Sequence, residues 1–304
     1  MVDSNTRLEQ ISRCLTGLSI GDCLGHLLFS TPDLRHDHRV PERMWNYTED
    51  TRMALAIAHN LTQHGTIAQD ELARRFAEDF MAQPERGYGA VAHFILHQIA
   101  SGVHWEQAST LVYSGTGSKG NGGAMRAAVV GAYFFDDLAL VVQQSIKATQ
   151  PTHAHSEGKA GAVAVAVAAA LAVRVALKQC APRSEELFSQ VIDYTPPGQI
   201  RVGLQRAAKL LNASPRHASD QLGTGVQVLA EDTVPFALWC ALTTLHNYED
   251  ALWKTFDALE RPESDSDTLG AIVGGIVGLS AHSTIPVHWR QRAESVDFRQ
   301  MGIE

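Results

Sequence analysis

The sequence predicts an all-α protein, and three observations support that fold class. Apolar residues recur at helical spacing from the first segment onward, as at Leu8, Ile11 and Leu15. No series of alternating apolar and polar residues indicates the strands of a sheet. The connections between periodic segments are short and polar, and none resembles a linker between domains. We therefore expect a single domain of roughly a dozen helices that covers residues 1–304.

The same apolar spacing predicts further helices in order along the chain. Each segment places apolar residues three and four positions apart, which is the pattern of a helix with one buried face. The segments are 53–61, 71–81, 90–101, 105–112, 124–134, 138–149, 158–178, 185–192, 200–211, 234–245, 248–259 and 269–281.

Three helices are rich in small residues. Glycine recurs every four residues in 17–25 and again in 270–278, and 160–172 is almost entirely Ala and Val. Glycine inside a helix costs about 1 kcal/mol relative to alanine. Its repetition on one face therefore predicts very close helix packing, and a close-packed centre could bring distant parts of the chain together.

Composition argues against several classes of protein. The chain is 45% hydrophobic with a net charge of -8, and its basic residues are scattered rather than grouped. A nucleic-acid-binding surface normally shows a basic stripe, so we expect no nucleic acid as partner. The longest uncharged stretch, 160–173, has 14 residues, whereas a bilayer requires roughly 20 apolar residues. We expect a buried helix there and no membrane partner.

Cysteine usage and the first residues indicate the compartment. Cys14, Cys23, Cys180 and Cys240 are widely spaced and form no C-x-x-C pair. A structural zinc site or a disulfide framework is therefore not expected, and a reducing compartment fits better. Residues 1–10 are polar and lack the apolar core of a signal peptide. We expect a cytoplasmic protein, and a monomer.

Two short acidic clusters are the first candidates for chemistry. Thr48–Thr51 and Asp265–Thr268 each mix carboxylates with hydroxyls and lead into an apolar helix. Singly, each could simply cap its helix. In the second cluster, however, two acids two positions apart repel one another unless a cation lies between them. Together the clusters would offer four carboxylates and two hydroxyls, the oxygen ligands that Mg²⁺ prefers.

A glycine-rich segment and a histidine pair are further candidates. Residues 115–123 contain five glycines and lead into a helix. Such a segment can present backbone N–H groups to a phosphate, although composition alone fits a flexible turn equally well. It is neither a P-loop nor a dinucleotide fingerprint. In Thr152-His153-Ala154-His155 the histidines could bind a metal or a ligand, or Thr152 could cap a helix beside surface histidines.

Taken in order, these motifs resemble the ADP-ribosylglycohydrolase family, whose members are also called ADP-ribosyl-acceptor hydrolases. The resemblance extends from Gly17 to about Trp289. Six motifs appear in the family's order, and such a series is far more specific than any one of them. They are Gly21-Asp22-Cys23-Leu24-Gly25, Tyr47 to Met53 with Thr48-Glu49-Asp50-Thr51, Gly120-Asn121-Gly122-Gly123-Ala124-Met125-Arg126, Thr152-His153, Val234-Pro235-Phe236-Ala237 and Asp265-Ser266-Asp267-Thr268.

The resemblance implies an all-α fold with two Mg²⁺ ions at the bottom of a cleft, with Mn²⁺ as a possible substitute. It implies that the metals are held by the residues Thr48, Glu49, Asp50, Asp265, Asp267 and Thr268. The glycine loop would lie against the diphosphate and ribose of ADP-ribose, and His153 would approach the phosphates. The implied substrate-binding residues are Gly117, Ser118, Lys119, Gly120, Asn121, Gly122, Met125 and His153.

Two departures from the family pattern bear on the general base. Glu49 stands where the family usually has Asp, which lengthens the side chain by one methylene. Phe29 occupies the position at which several branches carry a catalytic or gating Glu. We therefore expect Glu49 or Asp50 to act as the acid/base residue, with Asp33 and Glu42 on the nearby loop as reserves.

The resemblance implies hydrolysis of the bond between C1″ of the distal ribose and an acceptor on a protein. Such cleavage passes through an oxocarbenium-like state aided by a carboxylate and a positioned water. The absence of the branch-specific Glu favours an arginine acceptor over serine. Two alternatives remain open: hydrolysis of a small conjugate such as O-acetyl-ADP-ribose, and a non-catalytic relative that binds ADP-ribose or keeps only the fold. The partner is accordingly ADP-ribose or an ADP-ribosylated protein.

Overall fold

Helices are the regular elements in the part of the polypeptide that the computed structural model describes, residues 2–31, 33–178 and 182–298. Within these ranges there are no strands, only two isolated bridges, Trp45 with Ala293 and Gly120 with Leu229. The all-α prediction is therefore confirmed. Cys180 lies outside the described residues.

The helices of the described ranges follow one another with short connections. They are α1 (Ser4–Ser30), α2 (Leu34–Asp37), α3 (Glu49–His64), α4 (Gln69–Ala82), α5 (Ala90–Ala100), α6 (Trp105–Thr110), α7 (Ala128–Tyr133), α8 (Leu138–Thr149), α9 (Ser156–Ala176), α10 (Ser184–Tyr194), α11 (Gln199–Ala207), α12 (Pro215–Leu222), α13 (Ala230–Leu242), α14 (Tyr248–Phe256), α15 (Ser266–Ser280) and α16 (Val287–Arg292). Single 3₁₀ turns cover Tyr113–Gly115, Asn121–Gly123 and His282–Thr284.

The structure differs from the sequence prediction in a few elements. The helix expected over 124–134 begins only at Ala128, because the glycine-rich segment before it forms a 3₁₀ turn. Helices α2, α12 and α16 were not predicted, because their apolar patterns are short. The α12 helix nevertheless carries a local signal: Pro215 is its first residue, and the Ser214 side chain accepts a hydrogen bond from the His217 N–H.

The glycine stripes of α1 and α15 face one another at the centre of the fold. A Cβ atom added to Gly21 would come within 2.0 Å of the Gly270 oxygen, and one added to Gly17 within 2.3 Å of the Gly274 oxygen. No side chain fits between these two backbones. The predicted close packing is confirmed, and it places the later part of α1 beside the beginning of α15, where Ser266 Oγ donates to the Gly25 oxygen at 2.8 Å.

Helix α9 is a buried helix of the hydrophobic core. Its residues from Ala160 to Val173 are buried, and α7 approaches it so closely that a Cβ on Gly131 would meet the Ala166 oxygen at 1.9 Å. Among the described helices, α9 alone is long and apolar enough to cross a membrane by length and composition, and 78% of that window is buried inside the protein. It packs as a core helix.

We expect Gly21→Ala to lower the free energy of unfolding by about 3 kcal/mol or more, because the new methyl group would meet backbone atoms that cannot rotate away. Urea unfolding followed by circular dichroism measures the loss. Gly89→Ala is the matched control, since a Cβ at Gly89 has no heavy atom within 4 Å. Equal stability of the two variants would contradict the close backbone contact.

Candidate functional site

A cavity of about 660 Å³ opens at the ends of α1 and α15 and collects residues from distant parts of the sequence. Nearly all predicted site residues line it: Glu49, Asp50, Asp265, Asp267, Thr268, Gly117, Ser118, Lys119, Gly120, Asn121, Gly122, Met125 and His153. Thr48 is the predicted ligand that does not line the cavity. Phe29 lines it, whereas the proposed reserves Asp33 and Glu42 do not, and both are exposed.

Asp22 holds the first acidic cluster in place through hydrogen bonds to Thr48 and Thr51. It is fully buried in α1 and accepts hydrogen bonds from the Thr48 N–H and hydroxyl, the latter at 2.8 Å. It also accepts from the Thr51 N–H at 3.1 Å and from the Thr51 hydroxyl at 2.6 Å. Asp22 thus fixes the first turn of α3. It also explains why Thr48 faces the interior and not the cavity.

Glu49 and Asp50 follow in that first turn. The Thr48 hydroxyl accepts from the Asp50 N–H at 3.2 Å, so Thr48 caps α3 as well as bonding Asp22. Asp50 is buried, and its Oδ2 atom has no hydrogen-bond partner in the described structure. Glu49 is half-buried. A buried carboxylate oxygen without a donor is costly, so Asp50 is placed to receive a ligand, a cation or water.

The second acidic cluster stands across the cavity at the start of α15. Asp265 precedes the helix without capping it, and Asp267 Oδ1 accepts from the Thr268 N–H at 2.9 Å. Asn121 of the glycine loop donates to Asp265 Oδ2 at 2.6 Å. His26 on α1 places Nδ1 3.7 Å from Asp267 Oδ2. The cluster is therefore tied to the glycine loop on one side and to α1 on the other.

The carboxylates of the two clusters repel one another inside the protein. Burial, and then the charges of their neighbours, raise the pKa of Glu49, Asp50 and Asp265 well above the usual range. Burial and the nearby Asp267 charge raise the pKa of Asp22 to about 7, despite its hydrogen bonds. A cation brought among these groups would remove the repulsion.

Asp267 is the one carboxylate of the two clusters whose pKa is lowered. Its burial disfavours the charge, but the nearby His26 and Asp265 side chains and the Thr268 N–H outweigh burial. The pKa values of Asp265 and Asp267 are shifted in opposite directions, as expected for two carboxyl groups that interact strongly. A divalent cation near both groups would reduce the repulsion between them.

The oxygen atoms of these residues are the type of ligand that a hard cation such as Mg²⁺ prefers. The side chains do not, however, form a complete coordination shell by themselves. Within the described ranges, no group of three or more His, Cys, Asp or Glu side chains is arranged to hold a metal ion. Mg²⁺ usually keeps several waters and binds through one or two carboxylates. Asp50 with its unpartnered oxygen, and the Asp265–Asp267 pair, supply carboxylates of that kind.

The glycine loop is held firmly and is not a flexible turn. Its Lys119 oxygen accepts from the Ala230 N–H at 3.0 Å, and the Asn121 N–H donates to the Val228 oxygen at 3.2 Å. The Lys119 ammonium pairs with Glu231 at 2.7 Å. A Cβ on Gly122 would come within 2.8 Å of His153 Cε1, so the loop lies directly over that imidazole.

A chain of hydrogen bonds orients His153. The buried Arg126 guanidinium donates to Thr152 Oγ1 at 2.6 Å, and Thr152 Oγ1 lies 2.8 Å from His153 Nδ1. Burial, and then the Arg126 charge, lower the pKa of His153 to about 3, so the ring is neutral at physiological pH. Since Thr152 Oγ1 already accepts from Arg126, we assign its hydroxyl as donor to Nδ1, which leaves the proton of the neutral ring on Nε2. His155 instead caps α9, accepting from the Glu157 N–H.

Several residues at the site were missed in the sequence analysis. Asp22 and Arg126 lie inside quoted motifs but received no role, because their partners are distant in sequence. Burial lowers the pKa of Arg126 to about 9, and its guanidinium stacks 4.6 Å from the Phe76 ring. At the rim, Tyr113 and Val228 are exposed, line the cavity and have φ values of 52° and 54°. No local signal predicts positive φ for a β-branched residue.

The fold and the cavity can now be compared with known proteins. The sequence profile of the ADP-ribosylglycohydrolase family matches residues 3–302. The chain therefore belongs to the ADP-ribosylglycohydrolase family. A zebrafish (Danio rerio) relative, ADP-ribosylhydrolase ARH3, is 30% identical over 95% of this chain and 88% of its own length.

Two further comparisons agree with that assignment. The Homo sapiens ADP-ribosylhydrolase ARH3 is 27% identical over 95% of this chain and 90% of its own length. A solved structure described as an ADP-ribosylglycohydrolase-related protein complex superposes with a TM-score of 0.68. That structure covers 98% of this chain and is itself covered to 96%, at 22% identity, so it supports the fold alone.

We expect His153 to make stability fall with acidification. The folded pKa is about 3 and the unfolded value about 6.5. Below pH 6.5 the unfolded chain takes up a proton that the folded chain does not, so this contribution to stability is lost as pH falls. From pH 6.5 to 5 the wild type should lose about 2 kcal/mol more than His153→Gln. Urea unfolding at both pH values tests this, and equal losses would contradict it.

Proposed function

We propose that the protein is a Mg²⁺-dependent hydrolase that releases ADP-ribose from modified protein side chains, with arginine as the favoured acceptor. The supporting observation is the cavity itself. Two acidic clusters, in which burial and neighbouring charges raise the pKa of Asp50 and Asp265, share this cavity with a hydrogen-bonded glycine loop that lies over a neutral histidine. Membership of the family supports the reaction class.

The donor set suggests where cations would bind. Glu49 and Asp50 on one wall, and Asp265, Asp267 and Thr268 on the other, line the cavity and offer oxygen ligands for two Mg²⁺ ions or for Mn²⁺. Thr48 would contribute indirectly, because its hydroxyl already donates to Asp22. When bound, such ions orient ribose hydroxyls and water and lower the pKa of the water.

The glycine loop and His153 are suited to the diphosphate. A phosphate can approach the backbone of 117–122 closely, because the glycines there carry no side chains. His153 Nε2 lies against Gly120 and Gly122, within 3.3 Å and 3.0 Å of where their Cβ atoms would be. A neutral imidazole with its proton on Nε2 donates a hydrogen bond toward that space. Thr152 and Arg126 fix this orientation from behind.

Glu49 and Asp50 are the candidates for acid/base work. Cleavage of a glycosidic bond needs a group that protonates the leaving acceptor or deprotonates water. The raised pKa of both residues suits such a group, because it favours the protonated carboxyl that can donate a proton to the leaving acceptor. Glu49 is less buried than Asp50, and its side chain is one methylene longer.

Phe29 supports an arginine acceptor. Its ring is 49% exposed and lines the same cavity as Asp267, whose neighbour His26 stands edge-on to that ring at 6.1 Å. A guanidinium can stack on an aromatic face while it pairs with carboxylates. A small conjugate such as O-acetyl-ADP-ribose remains the second candidate, since a cavity of about 660 Å³ would accept it without a protein attached.

The substrate class is tested with a panel. We expect ADP-ribose release from arginine-ADP-ribosylated protein in Mg²⁺ and none in EDTA, with slower or no release from a serine-ADP-ribosylated protein. O-acetyl-ADP-ribose serves as the third substrate, and liberated ADP-ribose is quantified by chromatography. Turnover of the ester alone would select the second candidate. Binding of ADP-ribose without release from any substrate would rule out the enzyme.

Metal binding is tested by thermal unfolding of Asp267→Asn. We expect Mg²⁺ to raise the Tm of the wild type, because a ligand that binds only the folded state stabilises it. Asp267→Asn should lose that response, because the carboxylate that would bind the cation is gone. Asp257→Asn, at a surface pair with His38, is the control. A retained Mg²⁺ response together with a lower Tm in EDTA would show that Asp267 only caps α15.

A further inference from the structure

Arg86 lies on the connection between α4 and α5, beside the segment that leads into the first acidic cluster. Its backbone oxygen accepts a hydrogen bond from the Glu49 N–H at 2.9 Å. Its guanidinium donates to the Tyr47 oxygen at 2.9 Å and lies 4.3 Å from the centre of the Tyr47 ring. Arg86 therefore holds the chain on both sides of Thr48.

Glu294, which follows α16, fixes Arg86 in turn. The carboxylate accepts two hydrogen bonds from the guanidinium, Nη1 to Oε2 at 2.7 Å and Nη2 to Oε1 at 2.8 Å. It also accepts from the Tyr47 N–H at 3.3 Å. Two-pronged arginine–carboxylate pairs are among the stronger hydrogen-bonded contacts. The pair is largely shielded, with side-chain exposures of 15% and 28%.

The backbone after Arg86 also meets the Glu49 side chain. Gly87 has a φ of 106°, which favours glycine, and a Cβ there would come within 2.5 Å of Glu49 Oε2. The Glu49 carboxylate thus rests on Gly87 while its N–H is held by Arg86. A shift of the Arg86 backbone would therefore move both the oxygen that accepts from the Glu49 N–H and the adjacent Gly87 that contacts the Glu49 carboxylate.

We propose that Glu294 and Arg86 are positioning residues that set the place of the Glu49 carboxylate in the cavity. The chain of contacts runs from Glu294 through the Arg86 guanidinium to its own backbone, and from there to Glu49. The metal and acid/base roles of Glu49 rest on the proposed function, whereas the positioning itself does not. The segment before Glu294 has its own anchor in the buried Trp289, so the Glu294 carboxylate is not needed to hold α16.

Glu294→Gln tests this proposal, since it keeps the side-chain shape and removes the charge. Asp136→Asn is the matched control, because Asp136 pairs with Arg7 at 2.9 Å with similar exposure and does not line the cavity. Three quantities are measured on the full chain: hydrogen exchange of the Glu49 amide, Mg²⁺ affinity and ADP-ribose affinity by calorimetry. Glu294→Asp, which keeps the charge, tests rescue.

In Glu294→Gln we expect exchange at Glu49 to be roughly tenfold faster and Mg²⁺ affinity roughly tenfold weaker, the effect of losing one charge-assisted hydrogen bond. ADP-ribose affinity should change by less than about twofold, because the glycine loop does not contact Glu294. Glu294→Asp should recover part of both losses. Asp136→Asn should match the wild type in all three measurements.

Two results would overturn the proposal. One is that Glu294→Gln shows the same exchange of the Glu49 amide and the same Mg²⁺ affinity as the wild type. The other is an equal loss of Mg²⁺ and ADP-ribose affinity, which indicates general destabilisation and not positioning. If the wild type neither binds Mg²⁺ nor releases ADP-ribose, the proposed function fails. Exchange of the Glu49 amide in Glu294→Gln then tests the positioning alone. Faster exchange than in the wild type supports positioning by Glu294, and unchanged exchange contradicts it.

Discussion

The backbone contact between α1 and α15 is the constraint on which the cavity depends. Glycines on both helices leave no room for a side chain where the two backbones come closest, so that Gly21 and Gly270 meet through their main chains. This closeness brings Asp22 on α1 into the electrostatic range of Asp267 on α15. A helix pair separated by ordinary side chains, at 8–10 Å between axes, would hold these two carboxylates farther apart.

The carboxylates of the site therefore repel one another, and the stability that this repulsion costs must come from packing elsewhere in the core. Asp22 and Asp50 are buried and Glu49 and Asp265 are half-buried, and the pKa of each is raised by burial and by neighbouring charges. Arg126 is a buried cation within electrostatic reach of Asp50, yet burial also disfavours its charge. Functional sites commonly sacrifice stability in this way. The long, fully packed α9 helix and the glycine contact provide the compensating stability.

Much of the fold could be predicted because its signals are local. Periodic apolar residues predicted most of the helices, and the regularly spaced glycines predicted the close packing of the helices that carry them, α1 and α15. Most of the site residues named from the sequence line one cavity, since they belong to compact motifs. Short elements such as α12 were missed because their few apolar residues give no clear period.

The remaining features depend on contacts between distant segments, for which one sequence contains no local signal. Thr48 has the residue type of a metal ligand, yet Asp22 turns its hydroxyl inward. Phe29 was expected to matter only as a missing carboxylate, whereas its exposed ring forms part of the cavity wall. The left-handed backbone at Val228 follows from the bonds that join it to Gly225 and Asn121. None of these could be derived before the fold was known.

The hydrogen bond from Ser266 to the Gly25 oxygen joins residues 241 positions apart. During synthesis, the glycine face of α1 must therefore wait for α15 to emerge from the ribosome before it finds its partner. The acidic residues near Thr48 also stay apart from those near Asp267 until then. Because chains fold progressively as they are made, the intermediate helices can pack first. The cavity between the two acidic clusters is therefore complete only after α15 has been made and has packed against α1.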